Sequence, residues 1–142
     1  MKTPLYILLF KVFHAQRNKT RANMNEYDLA PGQPKVLRYI SSHSECKLKD
    51  IAIECDVEPP TVSKILNSLE DKGMIYREVN PKNKRAYQLS LTPVGESALE
   101  KWSEHCLEIE KISLDGFTEQ EREQFKEYLS RMYINLTGKE LR

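Results

Sequence analysis

Long apolar runs, paired cysteines and an excess of charge of either sign are all missing from this 142-residue chain. Lys and Arg total 22 against 21 Asp and Glu, for a formal net charge of +1. That excludes attraction to a polyanion through overall charge and leaves local patches as the only route. The three cysteines, Cys46, Cys55 and Cys106, are odd in number and show no Cys-x-x-Cys spacing. With no disulfide framework to read, a reducing, cytoplasmic setting is expected. No P-loop, glycine-rich cofactor loop or nucleophile–base motif occurs, so the chain is not expected to be an enzyme and needs no cofactor. His43-x-x-Cys46 has ligand-like spacing, yet no second close pair completes a tetrahedral set, and no metal site is expected.

The nearest thing to a membrane or targeting segment is MKTPLYILLF at the start. Lys11 interrupts it early, and it falls well short of the roughly 20 apolar residues a membrane helix needs. Leu5, Leu8, Leu9, Val12 and Phe13 follow helical spacing, while Tyr6, Ile7 and Phe10 extend the apolar surface around the other side. A structural helix from about Pro4 to Asn23, buried on two faces, is expected, with no membrane partner.

What is present is a succession of helix signals. A second helix is predicted near 33–44 from Val36, Leu37, Tyr39 and Ile40. LKDIAIE (48–54) is a third, CDVE a turn, and PPTVSKILNSLEDKG (59–73) a fourth. Two prolines suit only a first helical turn, and Gly73 is a C-terminal cap. MIYREV and AYQLSL, separated by NPKNKR, read as a β-hairpin. A long helix runs from Thr92-Pro93 to about Ser113, and Thr118 with Glu121 forms a capping box opening the last. The acidic run Glu100, Glu104, Glu108 and Glu110 is read as a solvated face. Cys55, in the turn, is read as a small buried hydrophobe, Cys106 as packing, and Cys46 as exposed.

Two short helices joined by a tight turn, then a basic hairpin, describe a winged helix–turn–helix. On 59–72, Val62, Ile65, Leu66 and Leu69 form the face to be buried. Pro60, Lys64 and Asn67 point away, with Thr61, Ser63 and Ser68 on the shoulders. That outward set is small and uncharged or basic, as insertion into a major groove about 12 Å wide requires. Lys82, Lys84 and Arg85 at the hairpin tip would hold the DNA backbone or an adjacent minor groove, and Lys47 and Lys49 would add phosphate contacts.

The stretch LKDIAIECDVEPPTVSKILNSLEDKGMIYREVNPKNKRAYQLSLTPVGE resembles the core of the MarR family of bacterial transcriptional regulators. The match lies in Leu69-Glu70-Asp71-Lys72-Gly73, the basic wing, and Leu91-Thr92-Pro93-Val94-Gly95. Where that family's wing commonly carries two aspartates, this chain has Asn80 and Asn83. The resemblance implies a mainly α fold with an α+β wing. Residues 1–32 would supply an N-terminal dimerisation helix, 33–92 the DNA-binding domain and 93–142 the C-terminal dimerisation helices. It implies a homodimer on a pseudo-palindromic double-stranded operator, a repressor released by a small-molecule effector of aromatic or amphipathic character. The effector cleft would lie between the first, second and fifth helices, with Phe10, His14, Tyr39 and Trp102 as candidate lining. Two alternatives stay open at this point: a metal- or thiol-oxidation-sensing regulator of the same fold, and a winged-helix protein-interaction module without DNA binding.

Overall fold

A computed structural model describes residues 1–79, 81–82 and 86–141. Helix α1 spans Leu5–Arg21, and Lys19 and Arg21 in its last turn complement the helix dipole. A short 3-10 turn, Met24–Tyr27, leads through Asp28 at φ 55° to Gly32 at φ 87°. Only there does the chain reverse into α2, Gln33–Ser42, with proline in its first turn. Strand β1 is Glu45–Lys47, α3 is Leu48–Glu54 and α4 is Pro59–Asp71. Strands β2, Ile75–Val79, and β3, Ala86–Leu91, form the hairpin. Helix α5 is Pro93–Ser113 and α6 is Glu119–Thr137.

The chain divides into two compact units, Met1–Leu107 and Glu108–Arg142. In the first, Val36 and Leu37 of α2, Ile51 of α3 and Val62, Leu66 and Leu69 of α4 are wholly enclosed. Burying each such side chain stabilises the fold by about 1.5–3 kcal/mol, so this three-helix junction fixes the attitude of α4. The sheet is antiparallel with order β1-β3-β2, pairing Cys46 with Tyr87 on one side and Arg77 with Leu89 on the other. In the second unit, Thr118 and Glu121 make the expected reciprocal cap. Its hydrogen bonds to Thr118 hold the Glu121 carboxyl below the usual range. Phe117 meets Phe125 edge-on at 6.2 Å, and the Arg122 guanidinium donates to the Leu114 carbonyl at 3.2 Å.

Three expectations need correction. Strand β1 was not anticipated, because Glu-Cys-Lys has no strand signature and is extended only through its ladder to β3. Cys46 is not exposed: it lies on the inner face of that strand at 1% exposure. Helix α1, expected to be buried on two faces, has no buried residue within the chain. Ile7, Leu8 and Leu9 are half-covered, while Tyr6 and Phe10 stand about 70% exposed.

Candidate nucleic-acid interface

Helix α4 starts where Glu58, still extended, accepts from the amides of Thr61 and Val62 at 3.0 and 3.1 Å. Pro59 and Pro60 occupy the turn in which a missing N–H costs nothing. The helix ends at Gly73, whose φ of 71° lets the Met74 amide turn back to the Leu69 carbonyl at 2.9 Å. Between those ends the burial divides as the spacing requires. Val62, Ile65, Leu66 and Leu69 face inward; Pro60, Thr61, Lys64 and Asn67 are exposed, and Ser63 is half-buried.

Two polar devices hold this helix in place. Gln33 is 4% exposed, and its Nε2 donates to Ser68 Oγ of α4 at 2.9 Å. Its Oε1 accepts from the Ala30 amide at 3.0 Å and from Lys72 Nζ at 2.8 Å, and Lys72 also donates to the Asp28 carbonyl at 2.8 Å. At the other end, Thr92 ties α5 to the end of α4. Its amide donates to the Met74 carbonyl at 3.0 Å, its hydroxyl donates to the Gly73 carbonyl, and the Gly95 amide donates to that hydroxyl at 3.1 Å. This is the physical content of the Leu-Thr-x-x-Gly motif: a β-carbon on Gly95 would stand 2.0 Å from the Met74 oxygen.

Lys47 and Lys49 are exposed at the junction of β1 and α3, and Lys82 is exposed on the hairpin. Lys84 and Arg85 lie outside the described residues. One residue that sequence reasoning missed is Arg77 on β2. It donates from Nη1 to Asn67 Oδ1 on α4 at 2.8 Å and lies 4.6 Å over the Tyr87 ring. A signal existed: Ile75, Arg77 and Val79 alternate onto one face of the strand, and a cation flanked there by two apolar residues suits a ring on the neighbouring strand.

The model of the MarR family matches residues 29–87, from the start of the α2 approach to β3. A MarR-family transcriptional regulator from Silicibacter pomeroyi superimposes with a TM-score of 0.78 at 25% identity, covering 94% of this chain and 90% of that one. Residues 29–87 are similar to the MarR family. The S. aureus MepR–DNA complex is similarly close in fold, with a TM-score of 0.80 and 27% identity over 94% of this chain and 99% of MepR. Among curated relatives, the HTH-type transcriptional regulator BilQ of Clostridioides difficile is 32% identical over 58% of this chain and 60% of its own length. The chain spans about three-fifths of the length of the first curated relatives it matches.

The four candidate effector-lining rings fall into three different stacks. Phe10 lies parallel to His14 at 6.3 Å on α1, and Tyr39 stacks on His43 at 4.0 Å. Trp102 meets Tyr27 edge-on at 5.6 Å and His105 at 5.4 Å. An open cleft of about 740 Å³ lies elsewhere, lined among others by Ile40, His43, Leu89, Leu91, Leu99 and Leu107, and none of the four rings reaches it. Burial pushes the Cys46 and Cys55 thiols up to about 11, with nearby carboxylates adding to the effect on Cys46; burial raises Cys106 as well. Thiols held in this protonated form lack the thiolate that oxidant sensing needs. Among the described residues no three His, Cys, Asp or Glu side chains converge as a metal would require, and no helix is long and apolar enough to cross a membrane.

Proposed function

We propose that the protein is a sequence-specific double-stranded DNA-binding transcriptional regulator, acting as a repressor in the cytoplasm. The observation that carries this is the outward face of α4. Over two turns it offers Pro60, Thr61, Lys64 and Asn67 without a carboxylate, on a helix whose other face is locked into the core. Such a face enters the major groove without opposing the phosphates. Lys47, Lys49, Lys82, Lys84 and Arg85 supply cations for the backbone, which explains how a chain of net charge +1 binds a polyanion: the attraction is local. MepR, a relative of the same fold, has been solved with DNA, and BilQ is named as a transcriptional regulator.

The working unit is a homodimer. Tyr6, Phe10, Val12 and Phe13 of α1, and Phe125, Tyr128 and Leu129 of α6, are exposed apolar side chains on helices with no buried residue. Pairing two copies removes that surface from water. A two-fold dimer then reads a pseudo-palindrome with half-sites roughly 34–36 Å apart. Release from the operator by an aromatic or amphipathic effector completes the reading, with Phe10, His14, Tyr39 and Trp102 as residues to test.

Duplex binding measured against salt tests the proposal. Replacing Lys84 and Arg85 by alanine is expected to weaken binding to all sequences. The log–log salt slope should become shallower by about 0.9 for each phosphate that is no longer neutralised. A double variant that binds like the wild type removes the wing from the mechanism. A protein that binds no duplex at low salt is instead a protein-interaction module.

A further inference from the structure

Arg77 is gripped from two sides. Because Arg77 pairs with Leu89, Tyr87 lies two residues along on the same face of the neighbouring strand, within reach of a long side chain. Its ring carries the guanidinium at 4.6 Å while Nη1 donates to Asn67 Oδ1 at 2.8 Å. A guanidinium has donors only, so the amide oxygen of Asn67 must face it and the amide nitrogen must face away. The orientation of the Asn67 amide is therefore set by chemistry.

That orientation has a consequence for reading bases. An asparagine selects adenine by accepting from N6 with its oxygen while donating to N7 with its nitrogen. Here the oxygen is engaged and turned toward β2, and what projects from α4 is an N–H donor. We propose that Arg77 is a specificity-determining positioning residue. By holding Asn67 Oδ1 it makes Asn67 a donor, selecting guanine O6 or thymine O4 over adenine, which presents its N6 donor at that place in the groove. The inference rests on the DNA-binding reading above and deepens it.

Selection of binding sites from a randomised duplex library, using the full-length protein, tests this. The wild type is expected to enrich a motif with guanine or thymine at one position per half-site, and Asn67→Ala to flatten that position alone. Arg77→Ala frees the oxygen, and the preference there moves toward adenine by about tenfold or more, the scale of a bidentate contact. An Arg77→Ala motif identical to the wild type's, with affinity merely lowered for every sequence, overturns the inference and makes Arg77 a phosphate contact. Adenine at the Asn67-dependent position of the wild type overturns it equally. If Arg77→Ala fails to fold, Asn67→Asp keeps the pairing with Arg77 but removes the donor. It is expected to lose the guanine or thymine preference, and an unchanged motif would count against the assignment. A wild type that enriches no motif at all sinks the DNA-binding reading itself, an outcome distinct from failure of Arg77's role alone.

Discussion

Replacing Gly95 by alanine sets two physical expectations against each other. Helix propensity alone favours alanine over glycine by about 1 kcal/mol, and Gly95 lies in the first turn of α5 with an ordinary helical backbone. The packing says the opposite. A β-carbon there would sit 2.0 Å from the Met74 oxygen, 2.9 Å from its carbonyl carbon and 3.2 Å from its Cα. Carbon contacts settle at about 3.5–4.0 Å, and the obstacle is backbone, so no rotamer change relieves the clash. Moving that carbonyl also disturbs its 3.0 Å bond from the Thr92 amide. Overpacking of about 1–3 kcal/mol, plus about 1 kcal/mol for the disturbed hydrogen bond, outweighs the propensity gain. The net cost is about 1–3 kcal/mol, or a fall in Tm of roughly 3–10 °C for a chain of this size. Urea unfolding at fixed protein concentration, followed by far-ultraviolet circular dichroism, measures it. Gly73→Ala is the control: its β-carbon meets open space, so only the left-handed backbone penalty of about 1–2 kcal/mol applies. A Gly95→Ala protein as stable as the wild type would refute the packing account of the Leu-Thr-x-x-Gly motif.

Gln33→Ala should cost about 1–3 kcal/mol, because it removes hydrogen bonds to half-buried Ser68 and Lys72 and to the Ala30 amide; thermal melting checks it, and a drop below about 0.5 kcal/mol would show that water replaces the amide without cost. The thiols give a pH dependence. Native Cys46 and Cys55 hold their protons to about pH 11, whereas the ordinary value is 9.0. The native state therefore binds more protons in that window, and stability should fall as pH rises from 9 toward 11. Serine replacements at both positions should flatten the decline. At about pH 8, below the ordinary thiol range, the same thiols should react with a disulfide reagent slowly in the native protein and promptly in urea; equal rates in both states would contradict their burial.

Much of this architecture was legible because its boundaries are chemical. The Pro59-Pro60 pair, the glycines at 32 and 73 and the Thr118–Glu121 box each force a start or stop locally, and the inward stripe of α4 follows from spacing alone. Strand β1 was not legible, since a three-residue strand takes its conformation from a distant partner, with Cys46 paired to Tyr87. Arg77 was missed for the same reason: its stack on Tyr87 depends on strand register and its bond to Asn67 on the angle between β2 and α4. The aromatic candidates for an effector cleft failed to converge because rings at helical spacing satisfy one another first, as Phe10 and His14 do.

Sedimentation of the purified chain with a fluorescent pseudo-palindromic duplex tests the central claim most directly. Two chains are expected to travel with each duplex at low salt, with the complex dissociating as salt is raised. Single chains sedimenting apart from an unshifted duplex would contradict it.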